Sequence, residues 1–511
     1  MSKCLGIELG STRIKTVLID ECANVLAQGS FEWENALVDG LWSYSLEAVE
    51  KGLQASYGSM LADYGKPIER LDVIGISAMM HGYLAFDGND KLLVPFRTWR
   101  NTNTARAAQE LSRLFDFNVP MRWSVVHFYQ AVLNDEPHVK DVAYLTTLAG
   151  YVHRRLTGNK VIGIGDASGM FPVDNGAYDK KMLTKFDKLL CSHGHSRRFG
   201  DMLPKILLAG DNAGTLTADG AKLLDVSGAL QSGAIFCPPE GDAGTGMVAT
   251  NSVSPRTANV SAGTSAFLMA VMAKPLTHHY KEIDVVTTPT GEPVAMVHVN
   301  NFTNEINAWA SVFAEAISLV GAQCDKNELY TKLFECACHS DGDVGKLVGY
   351  NFLSGEPIAE VEKGVPLFAR LPDGKLTLAN FMQMQIYSAL ASLAMGVEIL
   401  RAEKVAIDSV CGHGGFFKTE FVGQNAMSAA VGAPVTVRHN AGEGGAWGMA
   451  ILALYLLNKN VPLADFLQNL FANALQTTVT ATAQEKQKFA KWLQRYKQGL
   501  SVEKTASEEL S

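Results

Sequence analysis

The chain has 511 residues, of which 47% are apolar and 19% charged, and its net charge is −8. That length supports two or more domains with separate cores, and that apolar share excludes a disordered chain. An acidic balance without a long basic run excludes an extended nucleic-acid-binding face, although a small anion can still bind through backbone amides.

Leu5–Leu9 and Ile14–Ile19 read as strands joined by Gly10-Ser11-Thr12, a β-hairpin with Glu8 before the turn and Arg13 and Lys15 after it. Charges inside this apolar start rule out a signal peptide. Leu71–Ser77 is a further strand, ending at Met79-Met80-His81-Gly82, and helical spacing dominates from Thr104 to about Leu156. Ala234–Cys237 is a short strand, broken by Pro238-Pro239 and followed by Glu240-Gly241-Asp242-Ala243-Gly244.

The opening theme then returns. Thr257–Val260 runs into Ser261-Ala262-Gly263-Thr264-Ser265, and the apolar stretch Ala266–Val271 follows. A long helix is expected over Leu378–Lys404. A strand over Val405–Cys411 then enters the turn Gly412-His413-Gly414-Gly415-Phe416, and a helix covers Thr419–Val431. Ala446–Leu457 is too short to span a bilayer and reads as a buried helix. In Ala483–Lys504, the residues Phe489, Trp492, Leu493 and Tyr496 share a helix face, which is expected to pack back on the body, with the first domain as one docking place. Ala506–Ser511 is expected to fray. The eight cysteines are singletons apart from Cys336-Ala337-Cys338-His339, which no second cluster completes to four metal ligands. Reduced thiols of a cytoplasmic protein fit this usage.

Two strand–glycine–strand hairpins about 250 residues apart point to two related α/β domains facing each other across a cleft. Glycine permits the positive φ of a tight turn, and its missing side chain lets a phosphate approach the backbone. Successive N–H groups in such turns form an anion-binding concavity, with Ser and Thr hydroxyls as added donors. Either hairpin alone is equally a plain turn. Together with the Gly412–Gly415 turn, they describe a nucleotide whose phosphates are gripped from both domains and whose base lies beside the third turn. Asp242 has two readings: a general base for a hydroxyl attacking phosphorus, or a cap of the helix that follows it. His81 sits at a strand end, where ligands of open α/β sheets bind, or is a satisfied core histidine. Trp99 offers a sugar-stacking surface or ordinary packing.

In this order the pieces resemble the FGGY family of carbohydrate kinases, of the actin and hexokinase superfamily. Leu5–Lys15 resembles the family's first phosphate hairpin, and Ser77–Gly82 the sugar-binding Q-M-H-G of xylulokinases. Gly165–Met170 (GDASGM) is close to S-D-A-S-G-T, and Gly241-Asp242-Ala243 stands where the family has G-D-N. Ser261–Ser265 matches the S-x-G-T-S loop, Gly412–Phe416 the adenosine-site glycine loop, and Glu443–Leu452 the E-x-G-A-x-G-A-A-x-L segment.

The resemblance implies two ribonuclease H-like α/β domains, each on a mixed five-stranded sheet, with a nucleotide- and sugar-binding cleft between them. It places an N-terminal domain at 1–250, a C-terminal domain at 251–482 and a helix with tail at 483–511. It implies ATP and Mg²⁺ as cofactors and Asp242 as the base. Met80, His81, Trp99 and Asp242 would hold the sugar. Ser11, Thr12, Arg13, Lys15, Gly263, Thr264, Ser265, Gly412, Gly414, Gly415 and Phe416 would hold the nucleotide, and Glu8 and Asp242 the metal. Neither nucleic acid nor membrane is expected as a partner, and the resemblance leaves room for a homodimer.

Four departures matter. The family's first-strand Asp is Glu8, whose carboxylate reaches about 1.5 Å further, which a metal retaining its waters can tolerate. The xylulokinase-like L-W-N-D-x-R becomes Thr98-Trp99-Arg100-Asn101-Thr102-Asn103, and Met79 and Ala243 replace a Gln and an Asn. The expected reaction is ATP-dependent phosphorylation of a small sugar, with a ketopentose such as D-xylulose first. A kinase for another ketose or a polyol, and a nucleotide-binding sensor with little kinase activity, are the alternatives.

Overall fold

The computed structural model describes residues 2–438 and 444–510. The chain divides into two compact units, one of Met1–Ser254, Val285–Val294 and Glu443–Asn473, the other of Pro255–Asp284, Ala295–Gly442 and Ala474–Ser511. A contiguous split does not anticipate this, because a late segment belongs with the early one.

In the first unit, Cys4–Leu9 pairs antiparallel with Arg13–Ile19, which pairs antiparallel with Val25–Glu32. Along its other edge Cys4–Leu9 runs parallel to Val73–Ala78, which also takes Ile235–Phe236 and Glu240–Gly241 as parallel partners. Among the described residues the sheet is therefore six-stranded rather than five-stranded. Its central strands Cys4–Leu9 and Val73–Ala78 are buried on both faces, and Leu5, Ile7, Ile74 and Ile76 sit in one core. Helix Leu46–Tyr64, capped at its start by the Ser45 hydroxyl, packs so closely on Val25–Glu32 that a Cβ at Gly29 would meet Ser56 O at 2.4 Å.

The expected buried helix forms over Gly444–Leu457 and lies on the same sheet. A Cβ on Gly6 would come within 2.1 Å of Ala446 O, and one on Gly75 within 2.6 Å of the Met449 side chain. Glycines inside two strands thus mark where the helix backbone touches the sheet. A Cβ on Gly448 would meet Thr245 O at 2.1 Å, which packs this helix against helix Asp242–Ala249 as well.

The second unit repeats the local pattern. Thr257–Ala262 pairs antiparallel with Ala266–Val271 and parallel with Ser409–His413. Among the described residues its sheet has seven strands, again more than five. The strand expected from Val405 begins only at Ser409, because Lys404 takes φ 61° and the Val405 N–H still bonds back to Leu400 O at the end of helix Leu378–Ala402. Tyr144–Leu156, expected as part of a helical region, divides into strand Tyr144–Thr146 and helix Leu148–Thr157, whose Thr147 caps it.

The C-terminal stretch forms helices Ala483–Gln498 and Leu500–Leu510. They dock within the second unit rather than on the first. Trp492 Nε1 donates to Leu347 O at 2.9 Å, and Tyr350 OH donates to Tyr496 O at 2.9 Å. The expected fraying from Ala506 does not occur through Leu510, since Ser507 is buried and Glu503 accepts the Val365 N–H. Among the described residues, no helix is long and apolar enough to cross a membrane.

Candidate active site

Parallel register lines up three strand ends in the first unit. Glu8 and Glu240 each stand opposite Ser77, and one step on, Leu9 and Gly241 each stand opposite Ala78. Asp242 follows as the first residue of its helix, where the free N–H groups and the helix dipole favour a carboxylate. The Met80 N–H and the Ala243 N–H both donate to Asp242 Oδ1, at 3.2 and 3.0 Å. The side chain is reached by solvent yet crowded by protein, and this crowding pushes its carboxyl up to about 6 against those donors.

Glu8 lies against the start of helix Gly444–Leu457, where a Cβ on Gly445 would come within 2.2 Å of Glu8 Oε1. Burial and the neighbouring Asp242 raise its carboxyl to about 7, while Lys15 and the Ala446 N–H work the other way. Lys15 is its antiparallel register partner. Arg13 is engaged elsewhere, in a 2.6 Å ion pair with Glu32 across the strands. Lys15 is therefore the cation that this hairpin turns toward the carboxylates.

Two more acids, not read as site residues from the sequence, lie behind this row. Glu240 is buried and accepts the Gly165 N–H at 3.3 Å and the Asp166 N–H at 3.0 Å. Thr147 Oγ1 donates to Asp166 Oδ2 at 2.6 Å. Burial and mutual repulsion push Glu240 to about 8, and burial pushes Asp166 to about 7. Their only sequence signal was the motif-like GDASGM segment and the Glu two residues before Asp242. Which carboxyls meet is a matter of tertiary register.

The first turn is tied down from behind. Trp33 Nε1 donates to Gly10 O at 2.7 Å and Tyr44 OH donates to Ser11 O at 2.5 Å, with the two rings stacked 4.2 Å apart. In a trans peptide the N–H points opposite the C=O, so these bonds aim the Ser11 and Thr12 N–H groups outward. Gly10 does not take the positive φ expected of it, nor does Gly263. A Cβ on Gly263 would meet nothing nearer than 3.7 Å, so this glycine keeps the approach open, whereas a Cβ on Gly10 would lie 3.1 Å from Arg13 O. Gly414 does need its glycine: its φ is 107° and a Cβ would lie 2.3 Å from Ala262 O.

Met80 and His81 form the wall beside Asp242. A Cβ on Gly241 would strike Met80 Cγ at 2.1 Å, and one on Gly169 would strike His81 Nδ1 at 2.5 Å. His81 holds φ 70°, bonds Gly169 O through Nδ1 at 3.2 Å and stacks on Trp123 at 6.4 Å. Burial, with the Arg122 charge, keeps this imidazole neutral. Trp99 is exposed, and its Nε1 donates to Ser11 Oγ at 3.2 Å, linking the expected sugar loop to the Gly10-Ser11-Thr12 turn.

In the second unit, Gly263, Thr264 and Ser265 are exposed at their hairpin tip. Gly412, Gly414 and Gly415 line a cleft of about 510 Å³ together with Phe417, Gln424 and Arg438. Phe416 does not line it. Its ring is buried behind the turn against Phe302 and Phe334, at 5.0 and 5.8 Å, so Phe417 takes the place expected of Phe416. Glu443 lies outside the described residues.

Among the described residues, no three His, Cys, Asp or Glu side chains group to hold a metal alone. Glu8 and Asp242 fit a cation that shares its shell with water and phosphate oxygens, as Mg²⁺ does.

Comparison with known proteins bears on this geometry. The N-terminal domain of the FGGY family of carbohydrate kinases matches residues 3–230, and the family's C-terminal domain matches 258–457. Xylulose kinase of Lactococcus lactis is 23% identical over 358 residues, 67% of this chain and 66% of that protein. The ligand-bound xylulose kinase structure from Lactobacillus acidophilus superposes with a TM-score of 0.82 at 15% identity, covering 100% of both chains. A gluconate kinase from the same organism gives 0.81 at 16% identity, also over 100% of both. The fold is thus the two-domain α/β fold of the sugar kinases, and the chain belongs to the FGGY family of carbohydrate kinases.

Proposed function

We propose that this chain transfers the γ-phosphate of ATP to a hydroxyl of a small sugar, with a ketopentose such as D-xylulose as the first substrate to try. The observation that carries this reading is Asp242. Two backbone N–H groups hold its Oδ1 and leave Oδ2 to take a proton, and its carboxyl lies near 6, ionised at neutral pH yet basic enough to act. The sugar hydroxyl would lose its proton to Asp242 while attacking the γ-phosphorus, and the outward N–H groups of the Gly10-Ser11-Thr12 turn would stabilise the phosphate oxygens. Mg²⁺, when bound, supplies neutralisation of phosphate charge, and Glu8 and Asp242 are the residues to hold it through water. Lys15 beside Glu8 adds positive charge where the phosphates would lie.

Met80, His81 and Trp99 are the proposed sugar contacts, with His81 a neutral hydrogen-bonding group. Xylulose kinases among the relatives and the Met80-His81-Gly82 sequence support a ketopentose. One observation favours a wider choice. Arg100 stacks on Trp42 at 4.3 Å, and Asn101 brackets the Trp42 backbone N–H and C=O at 2.8 and 2.9 Å. These two residues brace a neighbouring strand, so another ketose, a polyol or an aldonate stays a substrate to test.

The experiment is coupled ADP release over D-xylulose, ribulose, gluconate and glycerol. We expect D-xylulose to stimulate release most strongly. Normal ATP binding without stimulation by any of them would instead support a nucleotide sensor.

A further inference from the structure

The second phosphate turn is held differently from the first. Its two carbonyls are gripped not by long side chains but by the start of the helix Asn304–Leu319: the Phe302 N–H donates to Thr264 O at 2.9 Å and Thr303 Oγ1 donates to Gly263 O at 2.7 Å. By the same trans-peptide geometry, these bonds aim the Thr264 and Ser265 N–H groups outward. The direction of the turn therefore depends on where Phe302 and Thr303 stand.

A buried polar knot fixes that place. Asn301 is almost wholly buried, and its Oδ1 accepts the Leu353 N–H at 2.9 Å, the Ser354 N–H at 3.1 Å and the Ser354 hydroxyl at 3.2 Å. Its Nδ2 donates to Ser354 O at 3.1 Å and to Glu356 Oε2 at 3.3 Å. The same Glu356 oxygen accepts the backbone N–H groups of Asn300 and Asn301, at 3.0 and 3.2 Å. Asn351 completes the knot by donating to Asn301 O and Phe302 O at 3.0 and 3.1 Å. Glu356 is fully buried, and its other oxygen, Oε1, has no hydrogen-bond partner.

A carboxylate in such a place is costly unless its donors need it. Here two of its three donors are the peptide N–H groups immediately before the residues that grip the turn. We propose that Glu356 and Asn301 are positioning residues for the nucleotide: through Phe302 and Thr303 they hold the Gly263-Thr264-Ser265 turn with its N–H groups aimed at phosphate. This deepens the proposed function and rests on its reading of that turn as a phosphate site. Neither side chain touches phosphate itself. The Phe302 ring also meets Phe416 at 5.0 Å, so the knot braces the back of the glycine turn beside the cleft.

The test compares wild type with Glu356→Ala, Glu356→Asp and Glu356→Gln. Binding of Mg²⁺-ATP is read by calorimetry without sugar, KM for ATP and KM for sugar are read separately, and Tm is recorded. Glu356→Ala is expected to weaken ATP binding and raise KM for ATP about tenfold, with KM for the sugar within twofold of wild type. Glu356→Gln keeps an oxygen that can accept all three donors and should restore most of the loss. Glu356→Asp, one bond shorter, should fall between and serves if the alanine variant does not fold. Lower Tm in these variants with ATP affinity and KM unchanged would overturn the proposal and leave Glu356 a scaffold residue. Failure of the wild type itself to bind ATP would remove the proposed function, and this inference with it.

Discussion

The two Gly-Ser/Thr turns present outward N–H groups by the same means and are built to different specifications. In the first, indole and phenol groups of a stacked pair, Trp33 and Tyr44, reach the carbonyls directly. In the second, the Phe302 N–H and the short Thr303 hydroxyl at a helix start do so, and a buried Glu356–Asn301 knot places that segment. The strand before the first turn carries a carboxylate, Glu8, two residues ahead of its glycine. The matching position before Gly263 is Ser261. Charge is thus concentrated on the turn that neighbours Asp242, and the other turn offers only neutral donors. On the proposed function, one local shape serves two tasks: metal support and base chemistry at the first turn, phosphate binding alone at the second.

That division can be broken experimentally. The largest effect on this contrast is expected at Glu8. Glu8→Ala should raise the Mg²⁺ concentration for half-maximal turnover by roughly tenfold or more, the usual scale for loss of an outer-shell group. Ser261→Ala should leave that Mg²⁺ titration unchanged, and an equal response from both would end the distinction. Next come the carbonyl clamps. Tyr44→Phe removes one hydrogen bond to Ser11 O and should raise KM for ATP by about two- to tenfold, in line with ~0.5–1.5 kcal/mol for one bond. The Trp33–Tyr44 stack should survive, since the ring remains.

The smallest effect concerns stability. Glu8, Asp166 and Glu240 have carboxyls raised to about 7, 7 and 8, all in the first unit. By about pH 7.5 the histidines of the unfolded chain have largely shed their protons, and its carboxyls are already ionised. Above that the folded protein still holds protons on these three carboxyls that the unfolded chain has lost, so stability falls as pH rises from about 7.5 to 8.5. A ligand-free thermal scan should show a lower Tm at the upper end. A Tm that rises over this range would contradict the burial of these acids.

Much of this was legible in the residues. Apolar runs flanking Gly10-Ser11-Thr12 and Ser261–Ser265 gave both hairpins, because strand periodicity and turn chemistry are local. Asp242 stood out because a strand, two prolines and two glycines frame it. What stayed hidden was long-range. Trp33 and Tyr44 lie more than twenty residues beyond the turn they hold, and nothing in their neighbourhood marks them as clamps. Glu240 and Asp166 meet only because Gly165 and Asp166 pass over the end of the Glu240 strand. Helix Gly444–Leu457 was readable as buried. That it covers Cys4–Leu9 was foreshadowed only by Gly6 and Gly75, whose missing side chains make sense once the helix is in place.

The measurement that bears most directly on Asp242 as the base is sugar-stimulated ADP release by wild type and Asp242→Asn, with ATP and sugar binding measured on both. The Asp242→Asn variant is expected to lose about 10²–10⁴ in kcat, the range for a general base, with both ligands still bound. Retention of near wild-type kcat by that variant would contradict that role.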